Sequence, residues 1–94
     1  MNFDWHPLKA AANIKDRGVS FEEALTVFDD ALAIITPDFA HSAEEPQFIC
    51  FGTSRDGRLL AIAFTERLEV IRIITAREME PSERKFYGTY DPSS

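Results

Sequence analysis

Six side chains in the second half of the chain have types and spacing suited to phosphate chemistry: Arg67, Arg72, Arg77, Glu83, Arg84 and Tyr87. Two of the arginines sit in one apolar stretch, Val70-Ile71-Arg72-Ile73-Ile74-Thr75-Ala76-Arg77. Period-two alternation along a strand puts Val70, Arg72, Ile74 and Ala76 on one face, and Ile71, Ile73, Thr75 and Arg77 on the other. Arg72 is then flanked by apolar neighbours on its own face, and a permanently charged guanidinium there needs an anion. That anion is either a carboxylate of the chain, such as Glu66, Glu69 or Glu83, or a phosphate taken by the forked donors of Arg72 and Arg77. Arg67, in the turn before this strand, is either a solvated turn charge or a cation that reaches a backbone phosphate. Glu83, Arg84 and Tyr87 share helical spacing. They offer an acid or base, a cation and a phenol, or else a surface ion pair beside a packed ring.

Other chemistries find little support. His6 and His41 are far apart and lack a second ligand at metal spacing, so no metal site is expected. There is no glycine-rich phosphate loop and no serine nucleophile elbow, and no cofactor is expected. Cys50 is the only cysteine, which excludes an internal disulfide and a thiolate cluster. It lies among Phe48, Ile49 and Phe51 and reads as a plain buried thiol.

These side chains must be positioned by a small scaffold. Phe3-Asp4-Trp5 reads as a short first strand. Pro7 suits the first turn of a helix that ends at Gly18, a cap with positive φ. Ser20 with Glu23 forms a capping box for a second helix from Phe21, whose stripe is Phe21, Ala24, Leu25, Val27 and Phe28 and which ends at Asp29-Asp30. Strands are then expected over residues 32–36, 47–54, 58–65 and 69–76, the second and third joined by a hairpin turn at Arg55-Asp56-Gly57. A polar, acidic loop covers residues 37–46, and Glu66-Arg67-Leu68 forms the last turn. The last strands are apolar on both faces at their centres, as in a sheet covered by helices. Pro81 and Glu83 open a final helix to about Tyr87. This order is one α+β domain over residues 1–94.

The 94 residues carry a net charge of −6, which argues against non-specific nucleic-acid binding. The charge is uneven, though. Residues 1–50 carry three basic and nine acidic side chains, and residues 51–94 seven of each, so the fold either presents two unlike faces or carries ordinary surface charge, which charge alone favours. No apolar run is long enough to span a bilayer and no secretory pattern opens the chain, so the cytoplasm is the expected location.

Several stretches, in order, resemble the BrnT family of toxins from bacterial type II toxin–antitoxin pairs. They are Phe3-Asp4-Trp5, Lys9, Asn13, Gly18-Val19-Ser20-Phe21-Glu22-Glu23-Ala24, Val27-Phe28-Asp29-Asp30 and Ile71 to Arg77, followed by Glu83-Arg84 and Tyr87. The resemblance implies a RelE-like α+β fold, an antiparallel sheet of about four strands with two N-terminal helices and a short C-terminal one. It implies a metal-independent RNA endonuclease that slows translation and growth, with Arg67, Arg72, Arg77, Glu83, Arg84 and Tyr87 as its active surface. It also implies a BrnA-like ribbon-helix-helix antitoxin as partner, RNA as substrate, DNA contact only through the antitoxin, and no membrane. In the implied split of roles, arginines hold phosphate while Glu83 or Tyr87 handles protons. Three departures stand out: Asp16-Arg17-Gly18 where the family usually has Lys-His-Gly, His6 where an aspartate often follows the tryptophan, and Pro46 where an arginine is common. The first replaces a titratable ring by a fixed cation. A family member that binds protein or RNA without efficient cleavage is the second reading.

Overall fold

A computed structural model describes residues 2–41 and 44–89. Strand β1 (Asn2–Asp4) leads into helix α1 (Pro7–Arg17). A short helix α2 (Phe21–Leu25) tightens directly into a 3-10 turn over Thr26–Asp29. Then come β2 (Ile34–Pro37), a 3-10 turn at Phe39–His41, β3 (Phe48–Thr53), β4 (Leu59–Arg67), β5 (Val70–Glu78) and helix α3 (Pro81–Thr89). The sheet order is β1-β5-β4-β3-β2.

Among the described residues the sheet therefore has five strands and is mixed, which corrects the expectation of about four antiparallel ones. Residues 2–4 pair parallel to residues 70–72, with Asp4 beside Arg72, and the remaining pairs are antiparallel. A parallel partner across 68 residues has no local signature, whereas each hairpin announces itself by its turn.

Caps set the helix ends much as their residue types demand. The His6 ring Nδ1 accepts the Leu8 N–H at 3.1 Å, so the histidine does the N-cap work usually given to a carboxylate or hydroxyl. Gly18 ends α1 at φ 69°, its N–H returning to the Ile14 carbonyl at 2.9 Å. Ser20 Oγ accepts from Glu23 N at 3.0 Å, but the Glu23 carboxylate turns away from the cap to take Ser54 Oγ and Arg58. Only half of the expected capping box forms, because the buried carboxylate finds a stronger, charged partner.

One face of the sheet is packed. Cys50, Leu60, Ile62, Phe64, Ile71, Ile73 and Ala76 meet Val19, Phe21, Ala24 and Val27 there. Rings run across it from Phe3 through Phe28 to Phe64, with centroids 5.2 and 5.1 Å apart, and tie β1 and the first 3-10 turn to β4. Cys50 is buried in this layer, and burial pushes its thiol up to about 12, so it is an inert core thiol. The opposite face is only partly covered. There α3 packs Tyr87 beside Phe51, Ala61 and Met79, and the rest of that face is open. A sheet roofed by helices on both sides, as the apolar strand centres suggested, is found at one end only.

The alternation read along β5 breaks at Ile74. Phe64 pairs with Ile73 and Ala63 with Thr75, so Ile74 is the extra residue of a β-bulge. Before the bulge Ile71 and Ile73 point into the core; after it Ala76 does. The expected faces are thereby corrected: Arg77 joins Arg72 on the open face, and Ala76 leaves it. Beyond β1 the β5 edge is covered by Asn13, whose side chain accepts from Ala76 N at 3.1 Å and donates to Ala76 O at 2.9 Å and Val19 O at 2.8 Å. One buried amide thus replaces a strand neighbour.

Candidate active site

The open face carries its cations in two places. At one end a groove of about 750 Å³ is lined by Asp4, His41, Glu45, Gln47, Arg67 and Arg72, among others. Thr65 lies opposite Arg72 in the β4–β5 ladder, so Arg67 is its diagonal neighbour, and such positions are roughly 7–8 Å apart. Two long guanidinium side chains at that spacing can converge on one anion. Both are exposed. Arg72 gives a single hydrogen bond to Asp4, Nη1 to Oδ1 at 3.1 Å, and Arg67 pairs with Glu45. The carboxylate that answers Arg72 is therefore Asp4, brought in by the parallel strand, and not Glu66, Glu69 or Glu83.

The tip between β4 and β5 is a two-residue turn at Leu68-Glu69, one position later than expected. Both residues have positive φ, 52° and 67°. A tight hairpin demands such angles, usually from Asn and Gly, so leucine here is held in an unfavourable conformation. Leu68 is 90% exposed at the groove wall.

At the other end Arg77 is enclosed by α3. It donates to both oxygens of Glu83, at 2.6 and 2.9 Å, and Glu83 also accepts the Glu80 N–H at 2.9 Å, closing the first turn of α3. The Arg77 fork holds the Glu83 carboxyl below its ordinary value against the opposing effect of burial. Arg84 donates to the Met79 carbonyl at 3.2 Å. Tyr87 donates to Asp30 Oδ2 at 2.5 Å and meets Thr53 Oγ1 at 3.0 Å. Burial and then the Asp30 carboxylate push the phenol above its usual range. Burial opposes the charge of Asp30, yet hydrogen bonds from Tyr87 and from the N–H groups of Thr53 and Leu32 outweigh it and lower its pKa.

The six expected site residues therefore separate. Arg67 and Arg72 share the groove, while Arg77, Glu83, Arg84 and Tyr87 share the α3 end. Arg72 and Arg77 are five positions apart on one strand, about 15 Å at the usual rise, too far to grip the same phosphate. His41, set aside because it lacked metal partners, lines the groove. Its position depends on the 3-10 turn at Phe39–His41, inside a stretch that reads only as polar loop. The i, i+3 spacing of Asp38 and His41 was the available clue. Arg17, the departure from the usual family histidine, lies elsewhere, in a smaller concavity of about 270 Å³ with Lys9, Asp16 and Thr75.

Fold and face together describe a small α+β domain with an arginine-lined groove beside a helix-capped end. A family model described as ribonuclease toxin, BrnT, of type II toxin–antitoxin system matches residues 5–83, and the chain belongs to that family. The crystal structure of the Brucella abortus ribonuclease toxin BrnT is similar to this chain, with a TM-score of 0.67 over 85% of this chain and 97% of that one, at 19% identity. At that identity the likeness establishes the fold. No match is found among the curated proteins. As a type II toxin, the chain is expected to have an antitoxin partner. Among the described residues no helix is long and apolar enough to cross a membrane.

Proposed function

We propose that the chain is a metal-independent RNA endonuclease that slows translation and growth, with Arg67 and Arg72 holding the scissile phosphate. The observation that carries this reading is their convergence on one open groove, where, among the described residues, Arg72 meets the exposed Asp4 and Arg67 the partly exposed Glu45. A phosphodiester, whose single charge is shared by two non-bridging oxygens, can take both guanidinium forks at once and so competes for such donors. The reaction is attack of the ribose 2′-hydroxyl on the adjacent phosphorus, with the two guanidinium groups stabilising the charge that builds on its oxygens. Arg77, its fork filled by Glu83, braces the α3 end beside the groove. Glu83 and Tyr87 act here as positioning residues, since both are committed to hydrogen bonds that hold α3.

The antitoxin we propose is BrnA-like, of ribbon-helix-helix type, and covers the groove with acidic groups placed where Asp4 and Glu45 now meet the arginines. A complex in which no acidic side chain touches Arg67, Arg72 or Arg77 would refute this. The protein is proposed to work in the cytoplasm, reaching DNA only through that partner.

A second reading, an RNA- or protein-binding module without cleavage, is favoured by the commitment of Glu83 and Tyr87. One experiment separates them. Induced expression of the wild-type chain in bacteria is expected to stop growth and fragment RNA, and Arg72→Ala to relieve both. Growth arrest with intact RNA would leave the binding module; no arrest would sink the toxin reading.

A further inference from the structure

We propose that His41 is the general base of the cleavage step, oriented by Asp38. The inference rests on the ribonuclease reading above and adds the proton acceptor that the six arginine-strand and α3 residues lack.

His41 is at the end of the second 3-10 turn, and its side chain, 71% exposed, faces the groove that holds Arg67 and Arg72. Its Nδ1 lies 2.9 Å from Asp38 Oδ2. A carboxylate only accepts, so Nδ1 carries a proton, and in the neutral ring Nε2 keeps its lone pair. Asp38 is itself fixed. Its backbone N–H donates to the Gln47 carbonyl at 2.8 Å, and Gln47 Nε2 donates to the same Oδ2 at 3.2 Å. The carboxylate side chain is largely buried while the imidazole it holds is exposed. A buried acid that orients a solvent-facing ring is the arrangement proton transfer requires. The charged groups facing the ring across the groove are Asp4, Glu44, Glu45, Arg67 and Arg72.

The alternatives on the page are weaker. Glu83 is held ionised by Arg77, and Tyr87 is held protonated against Asp30. Arg17 cannot accept a proton and stands in the other concavity.

The step balances. His41 Nε2 removes the 2′-hydroxyl proton as the O2′–P bond forms and the P–O5′ bond breaks. The departing O5′ takes a proton from water, and the imidazolium neutralises the hydroxide left behind. The products are a 2′,3′-cyclic phosphate and a 5′-hydroxyl end.

The test uses the purified chain and a mixed-sequence single-stranded RNA, with cleavage rate, RNA binding and pH profile measured for wild type, His41→Ala, His41→Gln, Asp38→Asn and Arg17→His. We expect His41→Ala to lose roughly 100-fold in rate, to bind RNA as before, and to lose the acid limb of the profile. Added imidazole should restore part of that rate. Asp38→Asn should slow cleavage less, and Arg17→His should leave the rate unchanged. Should His41→Ala destabilise the fold, His41→Gln keeps bulk and polarity without the base. Coincident rates and profiles for wild type and either His41 variant overturn the inference and leave the ribonuclease standing. A wild-type chain that binds RNA without cutting it overturns both.

Discussion

The two ends of the open sheet face use the same side chain in opposite ways. At the α3 end Arg77 is half-buried, gripped by both oxygens of Glu83, and enclosed by a helix that Tyr87 and Asp30 fasten down. At the groove end Arg72 is 46% exposed and makes one 3.1 Å contact to a carboxylate as exposed as itself. The difference lies in what each charge already has. A half-buried guanidinium with both forks filled is part of the framework, and taking its partner away leaves an uncompensated charge. An exposed guanidinium with one long contact contributes little to folding and is available to a ligand.

Exchanging the two arginines for alanine should therefore give crossed results. Arg72→Ala is expected to cut RNA cleavage by about 100-fold, the usual cost of removing one donor to a developing oxyanion, and to leave the melting temperature unchanged. Arg77→Ala should lower unfolding free energy by roughly 1–2 kcal/mol, less than a fully buried pair because some solvent reaches both partners. Denaturant titration alongside single-turnover cleavage reads both. If Arg77→Ala proves the more damaging to cleavage while stability holds, the groove is misplaced and the α3 end is the active one.

The packed end can be challenged without touching a charge. At Gly52 an added Cβ would lie 2.8 Å from Val27 Cγ1 and 3.0 Å from Asp30 Oδ2. Val27 is fully buried, and Asp30 holds both Tyr87 and the Thr53 N–H, so neither can yield freely. Gly52→Ala should cost about 1–3 kcal/mol by overpacking and loosen α3, seen as faster amide exchange at its N–H groups. The same substitution should leave RNA binding at the groove intact. Weakened binding would show that the two ends are coupled.

This contrast marks what the sequence made legible. Features decided within a few residues came through: Pro7 and Gly18 bounding α1, Ser20 capping α2, and the hairpin at Arg55-Asp56-Gly57 with Gly57 at φ 82°. Features decided between distant segments did not. The partner of Arg72 comes from β1, and the face of Arg77 is set by one extra residue at Ile74, which alternation cannot register. The groove itself was half legible. Arg67 and Arg72 stood out by type, whereas His41 joins them only because a 3-10 turn forms within an acidic loop.

Acid should lower stability through the packed carboxyls. Glu23, nearly buried, is held below its ordinary 4.5 chiefly by its hydrogen bond from Arg58, against burial, with Ser54 helping. Asp30 and Glu83 are lowered too. Carboxyls with folded pKa values below their unfolded ones contribute stability that is fully present above the unfolded values and lost as pH falls through the folded ones. Unfolding free energy should thus be insensitive to these groups near neutrality and decline below about pH 4.5, the ordinary glutamate value. Glu23→Gln should start lower and show a shallower decline. An unchanged slope would mean that Arg58 contributes nothing specific to Glu23 in the folded state.

The smallest effect is the most direct probe of how Arg72 is held in the free protein. Asp4 and Glu45 occupy the guanidinium groups in the free protein, and RNA must displace them. Removing the Asp4 charge with Asp4→Asn should leave stability nearly unchanged, since an exposed pair is worth about 0.2–1 kcal/mol at most. The same free energy, no longer lost on binding, should tighten RNA affinity between about 1.5-fold and fivefold. The gain should shrink as salt rises, because phosphate contacts and the exposed pair are both screened. A titration in which Asp4→Asn binds RNA more weakly than wild type would assign Asp4 a supporting role, holding Arg72 in the geometry that receives the phosphate. The groove end would then resemble the α3 end more closely than its exposure suggests.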